Sequence, residues 1–378
     1  MKDAVTLLKE MVAIPSVSCG LDGKPDDTHG EARMVEYVAD FCDTHHIDYE
    51  AQEVEPGREN LIARVEGGAE PSLLLEAHTD TVEVENMTVE PFTPVEKNGR
   101  IYGRGSCDDK ASLAVMMTGL VRAMESKPPR DIIFVAAADE ECGFGGAKRL
   151  VESGFRADAA VVGEPTELRL VIAHKGACRT KVRTFGQTAH TSDPSKGKNA
   201  IYAMGQVILA LRDYAESLQS RSPHPLVGHP TAALGMISGG QAPNIVPDLC
   251  EIVLDRRVIP GEDTDDVFAE IEAAVADGVD DTVQWEAELF LDDPTLETSA
   301  DAPVAQLVAR ALDEVSGMPE PVGVQYGTDA SKFAEAGIPS VVIGPGSIRQ
   351  AHSADEFVEI SQVQQAARIY ERICTISL

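Results

Sequence analysis

Apolar residues in this chain fall into short runs and helical stripes that alternate. The runs "NLIARVE", "SLLLEAH", "DIIFVAAADE" and "AAVVGEP" predict strands, since four to eight apolar residues between polar ones suit a buried strand. "GEARMVEYVADFCDTH" and "DDKASLAVMMTGLVRAM" repeat apolar positions every three to four residues and predict helices. The stretch "MKDAVTLLKEMVAIPSVS" predicts an amphipathic helix with Val5, Leu8 and Val12 on one face. Strand and helix in alternation predict an α/β domain with a mixed, largely parallel sheet between helices.

Past residue 176 the pattern changes. "CRTKVRTFGQTAHTS" alternates like a half-buried strand, "KNAIYAMGQVILALRDYAESL" predicts a long helix, and "TAALGMISGG", "LCEIVLDRRVIP" and the helical "DTDDVFAEIEAAVADG" follow. These predict an α+β unit over residues 177–286, inserted between two parts of a first domain, 1–176 and 287–378. The first domain resumes with the helix "APVAQLVARALDEV", the strand "PSVVIGPGS" and a C-terminal helix from Gln362 to about Ile376. No internal repeat or low-complexity segment interrupts this order.

Ligands of open α/β sheets bind outside the carboxyl ends of the strands. His78, Glu140 and Glu164 each fall at that end of a predicted strand. His78 and Asp80 lie two residues apart, so both side chains leave the same side of an extended chain. Asp108 follows the glycines of "YGRGSCDDK" at a helix start, Glu141 neighbours Glu140, and His352 lies in "GPGSIRQAHSADEF" after the last strand. Each residue alone has a plainer reading: a surface ion pair for His78 and Asp80, a helix cap for Asp108, solvated loops for the glutamates, a satisfied surface histidine for His352. As a set, His78, Asp108, Glu141, Glu164 and His352 are imidazole and carboxylate donors suited to two divalent ions, zinc first, cobalt or manganese otherwise. Glu140 could then act as general base, and Asp80 could orient His78.

Other chemistries lack their patterns. The Walker sequence GxxxxGK[ST], the dinucleotide sequence GxGxxG and the GxSxG nucleophile elbow are all absent. Cys107 and Cys142 flank candidate ligands but have no cysteine partners at zinc-ligand spacing. The seven cysteines are scattered and odd in number, which predicts reduced thiols and a cytoplasmic protein. No segment reaches the ~20 apolar residues of a membrane span. The 63 Asp and Glu against 32 Lys and Arg, a formal charge of -31, argue against nucleic acid as a partner and suit solubility at high ionic strength.

Taken in order, "HTDTVE", "GRGSCDDK", "DEE", "GEPTELRLVIAHKG", "GQTAHTSDPSKGKNAI" and "GPGSIRQAHSADEF" resemble the M20 family of metallopeptidases and N-acyl amino-acid deacylases, over about residues 5 to 370. The resemblance implies a dinuclear-metal domain interrupted by an α+β lid that also forms a homodimer. By it, His78, Asp108 and Glu164 hold one ion, Asp108, Glu141 and His352 hold the other, and Glu140 is the base. His190 of the lid would stabilise the oxyanion in the partner subunit's site. Asn244 and Arg257, in "SGGQAPNIVPDLCEIVLDRRVIPG", would grip the substrate carboxylate, Arg257 through its planar fork. The substrate implied is a small N-acyl amino acid. The last motifs read like the branch acting on N-acetylornithine, with N-succinyl-diaminopimelate second and C-terminal glutamate or dipeptides third. A non-catalytic relative would be expected to have lost Glu140 or a ligand, and all six are here. One departure is that Asp109-Lys110-Ala111 follows Asp108, where the family usually has Met-Lys-Gly and a cis peptide.

Overall fold

The computed structural model describes residues 2–20, 23–317 and 320–377. The chain divides into two compact units, Met1–Ile172 with Glu297–Val322 and Thr328–Leu378, and Ala173–Leu296 with Gly323–Gly327.

The first unit is built on a nine-stranded mixed sheet. Seven of its strands run in the order Asp48–Glu55, Arg58–Val65, Arg130–Ala137, Glu70–His78, Ala159–Val162, Ser340–Val342, Val171–His174, and the short strands Leu296–Glu297 and Val322–Val324 both pair with the last of these. The four strands from Arg130–Ala137 to Ser340–Val342 are mutually parallel, and their neighbours on both sides run antiparallel. Period two decides what each strand residue does. Leu73, Leu75 and Ala77 enter the main core, while Leu74, Glu76 and His78 alternate with them. That core is closed by the helices Ala4–Val12, Lys110–Ser126, Pro303–Ser316 and Ile360–Thr375. Lys110–Ser126 is buried on nearly every side, as a helix without a polar stripe must be. In the N-terminal helix Leu8 and Val12 are buried as predicted, together with Ala4, Leu7 and Met11, whereas Val5 is only half-buried. The C-terminal helix starts at Ile360, two residues before the predicted Gln362.

The second unit has a four-stranded antiparallel sheet, in the order Thr231–Gly239, Leu249–Val258, Gly176–Phe185, Gln284–Asp293. Helices Ala200–Ser217 and Thr264–Gly278 cover one face, burying Val182, Met204, Leu211, Ile252, Leu254 and Ile271. Asn199 and Asp263 cap these helices by accepting backbone N–H bonds. The predicted boundary at 286/287 cuts the strand Gln284–Asp293, which pairs with Gly176–Phe185 along its whole length. Trp285, Ala287 and Leu289 of that strand pack against the second unit's core, so the unit runs on to Leu296. It also begins slightly earlier, at Ala173.

Candidate metal centre

Strand order brings the site together. Arg130–Ala137, Glu70–His78 and Ala159–Val162 are adjacent and parallel, so their carboxyl ends open on the same side. His78 pairs in register with Ala137, three residues before Glu140, and Glu76 pairs with Val162, two residues before Glu164. Ligand atoms of His78, Glu140 and Glu164 lie within 4.8 Å of one another, as do those of His78, Asp108 and Glu141.

Asp108 stands between the two histidines. Its Oδ1 is 3.0 Å from His78 Nε2, and its Oδ2 is 3.5 Å from His352 Nε2. His352 Nε2 is also 3.0 Å from Glu141 Oε2, although the His352 ring is more than half exposed. The cap alternative for Asp108 does not hold, because Asp109 occupies the N-cap of the following helix and makes no side-chain cap bond there. The Asp108–Asp109 peptide is cis. His78 Nδ1 lies 3.0 Å from the Asp80 carbonyl and 3.4 Å from its carboxylate Oδ1. A carbonyl only accepts, so Nδ1 carries a proton and Nε2 is the nitrogen free to bind a cation. The Asp80 carboxylate accepts the N–H groups of Glu140, at 3.1 Å, and Glu141, at 3.2 Å. Asp80 therefore positions the glutamate pair as well as the imidazole.

The electrostatics are those of crowded negative charge. Burial, then the neighbouring carboxylates, push the Glu140 and Glu164 carboxyls well above the usual carboxylate range, and Glu141 shifts the same way for the same reasons. Burial opposes charge on His78, yet its bonds to Asp108 and Asp80 outweigh that and hold its pKa well above the ordinary value. Burial likewise opposes the Asp108 charge, but the His78 bond and the two imidazoles prevail and lower its pKa. Glu141 Oε1 is buried with no hydrogen-bond partner. Hard oxygen donors and imidazoles, short of cationic partners, are what divalent ions would satisfy, so the residues fit the two-ion expectation. Cys107 does not join them: burial pushes its thiol well up, and Sγ lies against the Ser347 carbonyl at 3.4 Å.

His190, Asn244 and Arg257 belong to the second unit. His190 is exposed, and its Nδ1 accepts the Ser192 N–H at 3.1 Å, which leaves Nε2 as the donor of the neutral ring. Thr191 N–H donates to the Asn244 carbonyl, tying these two loops together. Arg257 is half-buried, with Nε 2.8 Å from Asp255 Oδ1.

Sequence reasoning missed several buried acids around the centre. Glu356 accepts the N–H groups of Gly105, Cys107 and Asp108 and a bond from Arg104, holding the turn that carries Asp108. It lies four residues past His352 in a motif already noticed, but nothing local shows that its carboxylate folds back on residues 104–108. Glu76 and Asp329 are buried too, and the one available signal for Glu76 was its place inside an otherwise apolar run.

The model of peptidase family M20/M25/M40 matches residues 74–375. The chain belongs to that family. Among curated proteins it is 34% identical over 375 residues to an acetylornithine deacetylase of Proteus mirabilis, covering 95% of this chain and 93% of the relative. It is 36% identical over 324 residues to the acetylornithine deacetylase of Myxococcus xanthus, covering 83% and 82%. Among solved structures, an M20 family metallo-carboxypeptidase from Sulfolobus solfataricus superposes with a TM-score of 0.79 at 18% identity, covering 99% of both chains. A tripeptidase from Staphylococcus aureus does so at 0.77 and 23%, covering 98% and 96%. As an M20 protein the chain is a metallohydrolase of amide bonds, and this agrees with the donor set described above. Among its described residues no helix is long and apolar enough to cross a membrane.

Proposed function

We propose that the protein hydrolyses the acetamide of N-acetylornithine, releasing acetate and ornithine, in the cytoplasm. The observation that carries the reading is the cluster of His78, Asp108, Glu140, Glu141, Glu164 and His352 at the strand ends of one sheet. The curated relatives bearing the acetylornithine deacetylase name support the choice of substrate. Free cysteines throughout the chain are in keeping with a reducing compartment.

In this reading His78, Asp108 and Glu164 hold one divalent ion and Asp108, Glu141 and His352 the other, zinc in both positions. Ions held by these residues would supply a Lewis acid for the amide carbonyl and a water acidic enough to act as nucleophile near neutral pH. Glu140 accepts a proton from the attacking water and returns it to the departing α-amine. Asp80 keeps His78 and the Glu140–Glu141 backbone in place. Asn244 and Arg257 receive the substrate carboxylate. His190 presents its Nε2–H to the oxyanion in the site of a second copy of the chain.

That last role needs a homodimer, and the second unit offers a surface for one. Thr231–Gly239 is an edge strand with Leu234, Met236 and Ile237 exposed, Ile237 at 62%, and such edges invite pairing with a second chain. Sedimentation velocity reads this directly; a monomer at assay concentration would remove the reading.

The function is tested by amine release from N-acetylornithine, N-succinyl-diaminopimelate, other N-acetyl amino acids and dipeptides, with zinc or cobalt, at high and low salt. Preference for N-acetylornithine, abolished by Glu140→Ala, is expected. Preference for another acyl group would keep the metal chemistry and discard the substrate. No hydrolysis by metal-loaded protein would discard both.

A further inference from the structure

The segment from Ala138 to Gly146, between the strand Arg130–Ala137 and the helix Gly145–Glu152, carries Glu140 and Glu141 through an awkward path. Asp139 and Phe144 both have left-handed backbones, with φ of 63° and 57°, a region non-glycine residues seldom enter. Within the turn, Gly146 N–H donates to the Ala138 carbonyl at 2.8 Å, and Gly143 N–H and Gly145 N–H donate to the Asp139 carbonyl at 3.3 and 3.2 Å. Neighbouring side chains add to that backbone closure.

Two residues of the adjacent strand Arg58–Val65 do so. Asn60 Nδ2 donates to the Gly146 carbonyl at 2.9 Å, while its Oδ1 accepts the Ala138 N–H at 3.0 Å. One amide thus closes both ends of the turn. The approach is close enough that a Cβ on Gly146 would meet the Ala138 carbonyl oxygen at 2.4 Å and Asn60 Oδ1 at 2.5 Å, which explains the glycine. Arg58, on the same strand face two residues earlier, donates from Nη2 to Asp139 Oδ1 at 2.9 Å and from Nε to Glu31 Oε2 at 2.9 Å. Glu31 Oε1 in turn accepts the Asp139 N–H at 3.2 Å. Asp139 is therefore gripped at its backbone and its side chain, one residue before Glu140. Asp80 completes the arrangement by holding the Glu140 and Glu141 N–H groups.

We propose that Arg58, Glu31 and Asn60 are positioning residues that clamp the Ala138–Gly146 turn and so aim the Glu140 carboxylate at the reacting water. The inference rests on Glu140 being the base, and extends it. Stability is a poor explanation for the cluster. Glu31 and Arg58 form a buried ion pair, and such a pair replaced whole by well-packed apolar residues commonly costs no stability. Glu31 also sits at the N-cap of the helix Ala32–His45 yet makes no cap bond; its carboxylate faces Arg58 and Asp139 instead. None of the three touches the candidate ligands themselves, so their effect must pass through the turn.

Arg58→Met and Asn60→Ser test this, with Arg58→Lys as the conservative variant. Amide hydrogen exchange within residues 138–146 should rise about tenfold or more over the parent, while the strand Arg130–Ala137 keeps its protection. With the substrate the parent prefers, kcat should fall about 10- to 100-fold, the order expected for an ångström-scale misplacement of a catalytic group. KM should stay within about threefold and metal content at the parent's level, with Arg58→Lys intermediate, as expected when only transition-state interactions are lost. Unchanged exchange in the turn, or faster exchange with kcat within about twofold of the parent, overturns the proposal. Should Arg58→Met fail to fold, Asn60→Ser, which leaves the ion pairs in place, decides alone. A parent that hydrolyses nothing in the panel removes the proposed function, and the exchange result still decides whether the turn is clamped.

Discussion

On the open face of the second unit's sheet, Arg183 gathers three glutamates: Glu251 at 2.6 Å, Glu288 at 2.9 Å and Glu286 at 3.1 Å. Asp255 beside them is shared by Arg179 and Arg257. Each of these carboxylates has a cation against it and water within reach. In the first unit Glu140, Glu141 and Glu164 crowd around Asp108, offset chiefly by His78 and His352, and their carboxyls resist ionisation. The same residue types stabilise modestly in one place and store unmet charge in the other. The difference lies in solvent access and in the supply of cations, both set by which element ends next to which.

Removing the metal should widen that difference most. Chelation should abolish hydrolysis. It should also make stability depend on pH in a direction the raised pKa values dictate. Glu140, Glu141 and Glu164 titrate above their ordinary 4.5 and His78 above 6.5. The folded chain then binds more protons than the unfolded one, so the stability these groups add is complete below the ordinary values and lost as pH rises through the folded ones. Asp108, shifted downward, works the other way but is outnumbered. The melting temperature of chelated protein should fall as pH rises above the ordinary carboxylate value of 4.5, and zinc at a hundred times its Kd should restore about 2.7 kcal/mol. A chelated protein whose melting temperature did not change with pH would contradict the picture of unmet charge.

His190→Ala asks whether the second unit contributes more than a paired, solvated surface. Turnover should drop about 10²- to 10³-fold, the range for losing an oxyanion donor, with metal content unchanged. Unaltered turnover would confine the chemistry to the first unit. The smallest effect belongs to the sheet face. Arg183→Met should cost about 1 kcal/mol or less, shrink further in high salt, and leave turnover within about twofold, because exposed ion pairs are weak and screened. A larger loss, measured by denaturant unfolding, would mean that this network carries more of the fold than its exposure implies.

Much of the framework was legible from local pattern. The runs ending at His78, Glu140 and Glu164 predicted strands, and strands whose carboxyl ends share a sheet edge make a site without further information. The limits of the second unit were less legible. "QWEAELFLDD" alternates correctly for a strand, but its partner, Gly176–Phe185, lies about a hundred residues away, and pairing decided that it belongs to the second unit. Arg58 and Asn60 gave no chemical signal at all. They look like ordinary polar residues at the start of a strand, and their role depends on a turn about eighty residues downstream.

Alone, then, the sequence determined which residue types end the strands of the site, which stretches are helical, and the absence of several other chemistries. It could do so because those properties follow from periodicity and from donor chemistry within a few residues. Only the tertiary structure decided that Asp108 lies between His78 and His352, that Asp80 holds two backbone amides besides an imidazole, and that Glu356 and the Arg58–Glu31 pair grip the turns carrying the acids. These contacts join segments tens to hundreds of residues apart. Their geometry comes from strand order and burial, which no local window of the chain contains.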